Sequence, residues 1–139
     1  APVRLPALEV EPLGRFMALM PRGNRAQLKL LAARTVQSLD EFRAPPTESE
    51  LAHRRAAGLS AEQDELLQRW GFPYVMEEYR FHITLSGKLP KAQAHQLREV
   101  LTPVLDPLLP RPFVIDGLSL MGEDGDGMFH VIHRHTFSG

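Results

Sequence analysis

The 139-residue chain contains no cysteine, which excludes disulfides, thiolate metal sites and cysteine nucleophiles. It also lacks an excess of charge of either sign. Sixteen Lys and Arg against seventeen Asp and Glu leave a formal net charge of -1, too weak a field to attract duplex nucleic acid or a membrane surface. No apolar run approaches the roughly 18 residues of a membrane span, and the opening Ala-Pro-Val-Arg-Leu-Pro is not built like a signal peptide. The expectation is a cytoplasmic protein with no membrane partner. Lysine is scarce, 3 residues against 13 arginines. Arginine is the better fork for phosphate and carboxylate, although an Arg- and Ala-rich proteome is the simpler account of the bias.

What is present suits one globular domain spanning 1–139: 43% hydrophobic and 24% charged residues, in a chain long enough to bury a real core. The hydrophobic pattern predicts a hairpin over 7–20, then a helix capped by Asn24 with Leu28, Leu31, Ala32, Val36, Leu39 and Phe42 along one stripe. Thr47-x-x-Glu50 and Ser60-x-x-Gln63 both fit a capping box, and Gly58 and Gly71 fall where left-handed C-caps belong. Helices are therefore expected near 48–57 and 61–70, which makes 24–70 a helical connection. A strand follows over about 75–86. Pro90 opens a further helix with Leu97, Leu101, Val104, Leu105 and Leu108 on one side, and Pro103 should kink or restart it with Thr102 as the new cap. Strand-like runs at 113–115 and 118–120, a bulge at Gly117, a glycine-rich loop over 122–127 and a last strand over 128–137 close the chain. The loop has a passing likeness to a calcium loop but lacks the ligand spacing and final glutamate. The fold class is α+β with antiparallel strands.

The strand near 79–86 carries the chemistry. Side chains alternate across a strand, so Tyr79, Phe81, Ile83 and Leu85 share an apolar face that should pack under helices. Arg80, His82, Thr84 and Ser86 share a polar one. Arg80 supplies a fixed cation, His82 a proton donor or acceptor near neutral pH, and Thr84 and Ser86 hydroxyls. At about 6.5–7 Å between same-face side chains, His82 and Thr84 can touch neighbouring atoms of one bound phosphoryl group.

Phe81-His82-Ile83-Thr84-Leu85 resembles the hydrophobic-His-hydrophobic-Thr-hydrophobic signature of the two-histidine phosphoesterase superfamily. Arg43-Ala44-Pro45, Glu50-Leu51-Ala52 with Arg54-Arg55, and Trp70 to Val75 running on to Glu78-Tyr79-Arg80 resemble its branch encoded beside bacterial phosphonate-utilisation genes. The likeness covers essentially the whole chain and is most specific over 70–87. It implies a two-lobed protein whose antiparallel sheets line a cleft with helices outside. It also implies metal-independent cleavage of a small cyclic or nucleotide-linked phosphodiester, with no cofactor. By this resemblance His82 is one of two catalytic histidines and Thr84 its phosphate-binding partner. Arg80 and Ser86 are further substrate contacts.

Such enzymes carry two His-x-Thr/Ser motifs, and this chain carries one. Residues 75–137 read as a full lobe and 7–20 as the closing hairpin of an incomplete first lobe. The chain is therefore expected to be the C-terminal part of a longer protein. In-line displacement needs a base at the incoming water and an acid at the departing oxygen, so the segment alone should bind phosphoesters weakly and turn them over poorly or not at all.

His130, His133 and His135 cluster near the end of the chain, the last two sharing a strand face. A metal-binding protein built on them is one alternative, in which His82 completes a three-histidine site if the last strand lies near 79–86. Arg134 is a candidate phosphate contact on the face opposite His133. A phosphate- or nucleotide-binding module without turnover is the other alternative, and the sequence leaves the oligomeric state open.

Overall fold

A computed structural model describes residues 1–138. Among them are seven strands, four α-helices and three short 3-10 turns, an α+β chain as expected, and every strand pairing is antiparallel. No helix is long and apolar enough to cross a membrane. The chain divides into two compact units, one formed by residues 1–24 with 82–139 and the other by residues 25–81.

The first unit holds all the strands. β1 (Val3–Leu5) pairs with β5 (Phe113–Ile115). β2 (Leu8–Leu13) and β3 (Phe16–Pro21) form the expected hairpin, and β4 (Ile83–Thr84) joins the free side of β3 to give the order β2-β3-β4. β6 (Gly117–Glu123) and β7 (Phe129–Thr136) form a separate hairpin. Met17, Ala18 and Leu19 are buried in succession along β3, Leu8 and Val10 are buried on β2 beside it, and Leu5 is buried on β1. A strand buried on both faces loses the alternation that a half-exposed strand shows, which is why 16–20 reads as one continuous apolar run.

α4 (Lys91–Leu105) packs on β2 and β3. Pro103 neither kinks it into two helices nor makes Thr102 a cap, as the sequence suggested. The helix runs through Pro103 and tightens to a 3-10 turn over Asp106–Leu108. The Thr102 hydroxyl instead donates back to the Arg98 carbonyl at 2.7 Å, the usual resting place for a hydroxyl inside a helix. The helix side turned inward is Leu97, Leu101 and Leu105, whereas Val104 and Leu108 are exposed.

The second unit is helical: α1 (Ala26–Leu39), α2 (Glu48–Arg55) and α3 (Ala61–Trp70), with 3-10 turns at Asp40–Phe42 and Met76–Glu78. The N-cap of α1 is Arg25 rather than Asn24. Both capping boxes form as the sequence predicts. Thr47 Oγ1 accepts from the Glu50 amide while the Glu50 carboxylate accepts from the Thr47 amide, and Ser60 and Gln63 repeat the exchange. Gly71 ends α3 with φ +73°, a left-handed residue that only glycine adopts cheaply. Leu67, 1% exposed, is the anchor of α3; burying such a side chain contributes about 1.5–3 kcal/mol.

The Thr47 box makes the stability of this unit pH-dependent. Hydrogen bonds from Thr47 hold the Glu50 carboxyl below its ordinary value. A depressed carboxyl stabilises the fold above its unfolded pKa and loses that contribution as pH falls through the folded one. Thr47→Ala should therefore lower the melting temperature near pH 7. The gap to the unmodified chain should shrink as acid titrates Glu50; a gap constant from pH 7 to pH 2 would contradict the coupling.

Candidate functional site

The expected strand over 75–86 is far shorter than the sequence suggests. Only Ile83 and Thr84 pair as a strand, opposite Leu19 and Ala18. The chain before them is folded into the turn at Met76–Glu78, with Met76 at φ 51°. Lys29 Nζ donates to the Glu77 carbonyl at 3.2 Å and Gln63 Nε2 to the Glu78 carboxylate at 2.8 Å. These side-chain bonds hold the turn against α1 and α3, an interaction no alternation pattern records. Burial of Tyr79 pushes its phenol up from the ordinary value.

The expected apolar face is only partly buried. Tyr79, Phe81 and Leu85 are half-buried, but Ile83 is 41% exposed because β4 is an edge strand. His82 and Thr84 are both exposed, and neither lies in a helix. Arg80 is exposed too, but it belongs to the unit of residues 25–81, while His82 opens the other.

Ser86 has a specific task. The Leu85 amide donates to the Met17 carbonyl at 2.8 Å, as an antiparallel ladder requires. The return bond does not go to the backbone: the Met17 amide donates to Ser86 Oγ at 3.0 Å, and that hydroxyl donates to the Gly87 carbonyl at 2.9 Å. A side chain thus replaces a main-chain acceptor and ends the strand. The Leu89 amide then donates to the Arg15 carbonyl, which keeps the connection beside β3. The proton of Ser86 is thereby committed within the fold.

Arg134 lies in β7, in a different sheet from Thr84, and its Nη2 donates to the Asp116 carboxylate at 2.6 Å. The histidines on β7 sit on a strand whose register shifts once. Leu120 is opposite His133 and Met121 opposite Val131, so Ile132 is the extra residue. The sequence placed the bulge at Gly117. Gly117 is instead a paired strand residue whose missing side chain admits the His135 carbonyl. Cross-strand partners share a face, so the shift brings His130, opposite Gly122, onto the same face as His133 and His135. Their environments still differ. His130 Nε2 lies 2.6 Å from the Asp124 carboxylate, which also accepts from the Asp126 and Met128 amides in the turn. That set of bonds, His130 foremost, lowers the Asp124 pKa. The rings of His133 and His135 meet edge-to-face at 4.3 Å between centroids. Among the described residues no group of three or more His, Asp or Glu side chains is arranged to hold a metal ion.

This geometry can be set beside related sequences. The model of a protein family of unknown function, DUF1045, matches residues 1–130. The chain belongs to that family. Two curated relatives carry the name ribose 1,5-bisphosphate phosphokinase PhnN. The protein from Janthinobacterium sp. (strain Marseille) is 41% identical over 140 residues, covering 97% of this chain and 31% of the relative. That from Laribacter hongkongensis (strain HLHK9) is 34% identical over 115 residues, covering 83% of this chain and 26% of the relative. The chain thus spans a third or less of the curated proteins it matches. No solved structure matches it.

The Ser86 linkage yields a direct expectation. Removing the hydroxyl leaves the partly buried Met17 amide without its acceptor, a loss of about 1–3 kcal/mol. Ser86→Ala should lower the unfolding free energy by that amount in urea denaturation, and Ser86→Thr should retain most of it. An unchanged Ser86→Ala denaturation midpoint would refute the bond's structural role.

Proposed function

We propose that this chain is part of a two-histidine phosphoesterase acting in phosphonate metabolism, and that His82 and Thr84 supply half of its catalytic machinery. In this reading His82 is general acid or base at one end of the scissile phosphodiester. Thr84 holds a non-bridging oxygen, and a second histidine outside this segment serves the opposite end. The two-lobed arrangement around a cleft belongs to the same proposal, with residues 75–137 as one lobe. The substrate is a small cyclic or nucleotide-linked phosphodiester, and the mechanism asks for no metal.

The observation that carries the reading is the exposure of His82 and Thr84 around a two-residue edge strand whose backbone is fixed to the buried strand β3. Both groups can reach a ligand, while the main chain between them is held, which is how a short motif gains positional precision. The Phn designation of both relatives and the phosphorylated ribose in their names agree with a phosphoester substrate and a phosphonate-linked setting. Their phosphokinase activity is not transferred to this segment. Its only closely spaced glycines, Gly122 to Gly127, are followed by Met128 and Phe129 rather than the Lys and Ser or Thr of a nucleotide phosphate loop.

The test is turnover of 2′,3′-cyclic nucleotides and cyclic ribose phosphates, in the presence of chelator, by a full-length protein carrying this segment. His82→Ala should reduce kcat by about 100- to 10,000-fold, the range for losing one general acid or base. Thr84→Val should reduce it by about 100-fold or more, as for loss of a donor to a developing oxyanion. Undiminished turnover in His82→Ala would remove the residue from the mechanism.

A further inference from the structure

A cavity of about 480 Å³ lies in the helical unit of residues 25–81. Its floor is buried Leu67 together with Gly71, and its polar rim is Arg43, Ser49, His53 and Arg54. Ser49 and His53 are four residues apart on α2 and so present to one side of it. Such a volume accommodates a small metabolite rather than a bare ion.

The charges around it are unevenly committed. Arg43 is fully engaged: its Nε and Nη2 meet the Asp40 carboxylate at 2.9 Å, and Nη2 also donates to the Arg69 carbonyl. The Gly71 backbone makes room for it, since a Cβ there would come within 2.7 Å of Nη1. Glu50, the acidic member of the lining, spends its carboxylate on the Thr47 amide and hydroxyl. Arg54 differs. Its guanidinium is stacked over the Phe72 ring, 4.5 Å from the centroid, and its charge acts on the Glu50 carboxylate through space rather than through a hydrogen bond. Stacking fixes the plane of a guanidinium while leaving its edge donors available, and that edge matches two oxygens of a phosphate.

We infer that this cavity binds a small phosphate monoester, with Arg54 as the fork that receives its terminal oxygens. Ser49 and His53 line the path of the anion, Arg43 adds positive potential without changing partners, and Leu67 and Gly71 face the body of the ligand. The site is separate in sequence from His82 and Thr84 and stands whether or not those residues catalyse phosphodiester cleavage.

The test is an NMR titration of the 139-residue chain with ribose 5-phosphate, a phosphate monoester that fits the volume, and with ribose as the neutral control. Ribose 5-phosphate should move the backbone amides of residues 49–54 and 71–72 along one saturation curve, and ribose should not. Arg54→Gln should weaken that binding about tenfold or more, while His82→Ala should leave it within about twofold. Phe72→Leu keeps the charge but removes the stacking ring, and it should weaken binding severalfold. Any one of three results would overturn the inference: amides that stay still at saturating ribose 5-phosphate, an affinity unchanged in both Arg54→Gln and Phe72→Leu, or equal responses to ribose.

Discussion

The candidate site depends on the pairing of β3. That strand is buried along Met17, Ala18 and Leu19 and takes β2 on one side and β4 on the other. An antiparallel ladder fixes which residue sits opposite which, and a one-residue slip would exchange the faces of every side chain on β4. The register Ala18 to Thr84 and Leu19 to Ile83 is short, so it needs reinforcement beyond its own two pairs. The Leu85 amide on the Met17 carbonyl and the Met17 amide on the Ser86 hydroxyl supply it. Position at His82 and Thr84 is thus inherited from the buried strand β3, through one main-chain bond and one bond to the Ser86 side chain.

The helical unit is organised differently. Its short helices bury few large side chains and depend on local chemistry at their ends. Two capping boxes open α2 and α3, and left-handed Gly71 closes α3. The Arg55 guanidinium forks onto the Asp64 carboxylate, which holds that carboxyl below and the guanidinium above their ordinary values. Exposed pairs of this kind contribute little stability individually. Here the pair ties the end of α2 to the first turn of α3.

Signals closed within a few residues mostly fix their own structure, although Asn24 does not cap α1 and Pro103 does not break α4, whereas tertiary contacts leave no such mark. Thr47-x-x-Glu50, Ser60-x-x-Gln63 and Gly71 encode their own structure within four residues, so both ends of α3 and the start of α2 follow from the letters alone, while α2 stops at Arg55, short of the expected 57. The hairpin over 7–20 is visible because Gly14 separates two apolar runs. The strand over 75–86 failed because alternation from Tyr79 to Ser86 describes side chains, not backbone partners. Whether a partner strand lies alongside is decided elsewhere, and Lys29 and Gln63 instead draw residues 76–78 into a turn. The bulge at Ile132 was missed for a related reason: it is a property of two strands, and its sign appears only when Leu120 and Met121 are aligned with their partners. Of the candidate site, the motif and its exposure were legible. The commitments of Ser86 to Met17 and of Arg134 to Asp116 were not, because each joins residues far apart in sequence.

The proposed function requires an imidazole and a hydroxyl to act together on one phosphoryl group from an edge strand. NMR observation of the His82 ring and the Thr84 methyl during titration with 2′,3′-cyclic AMP tests it most directly. The prediction is that both signals move along one binding curve and that Thr84→Val weakens the response at the His82 ring. Signals that stay fixed through millimolar ligand, or that follow two unrelated curves, would contradict it.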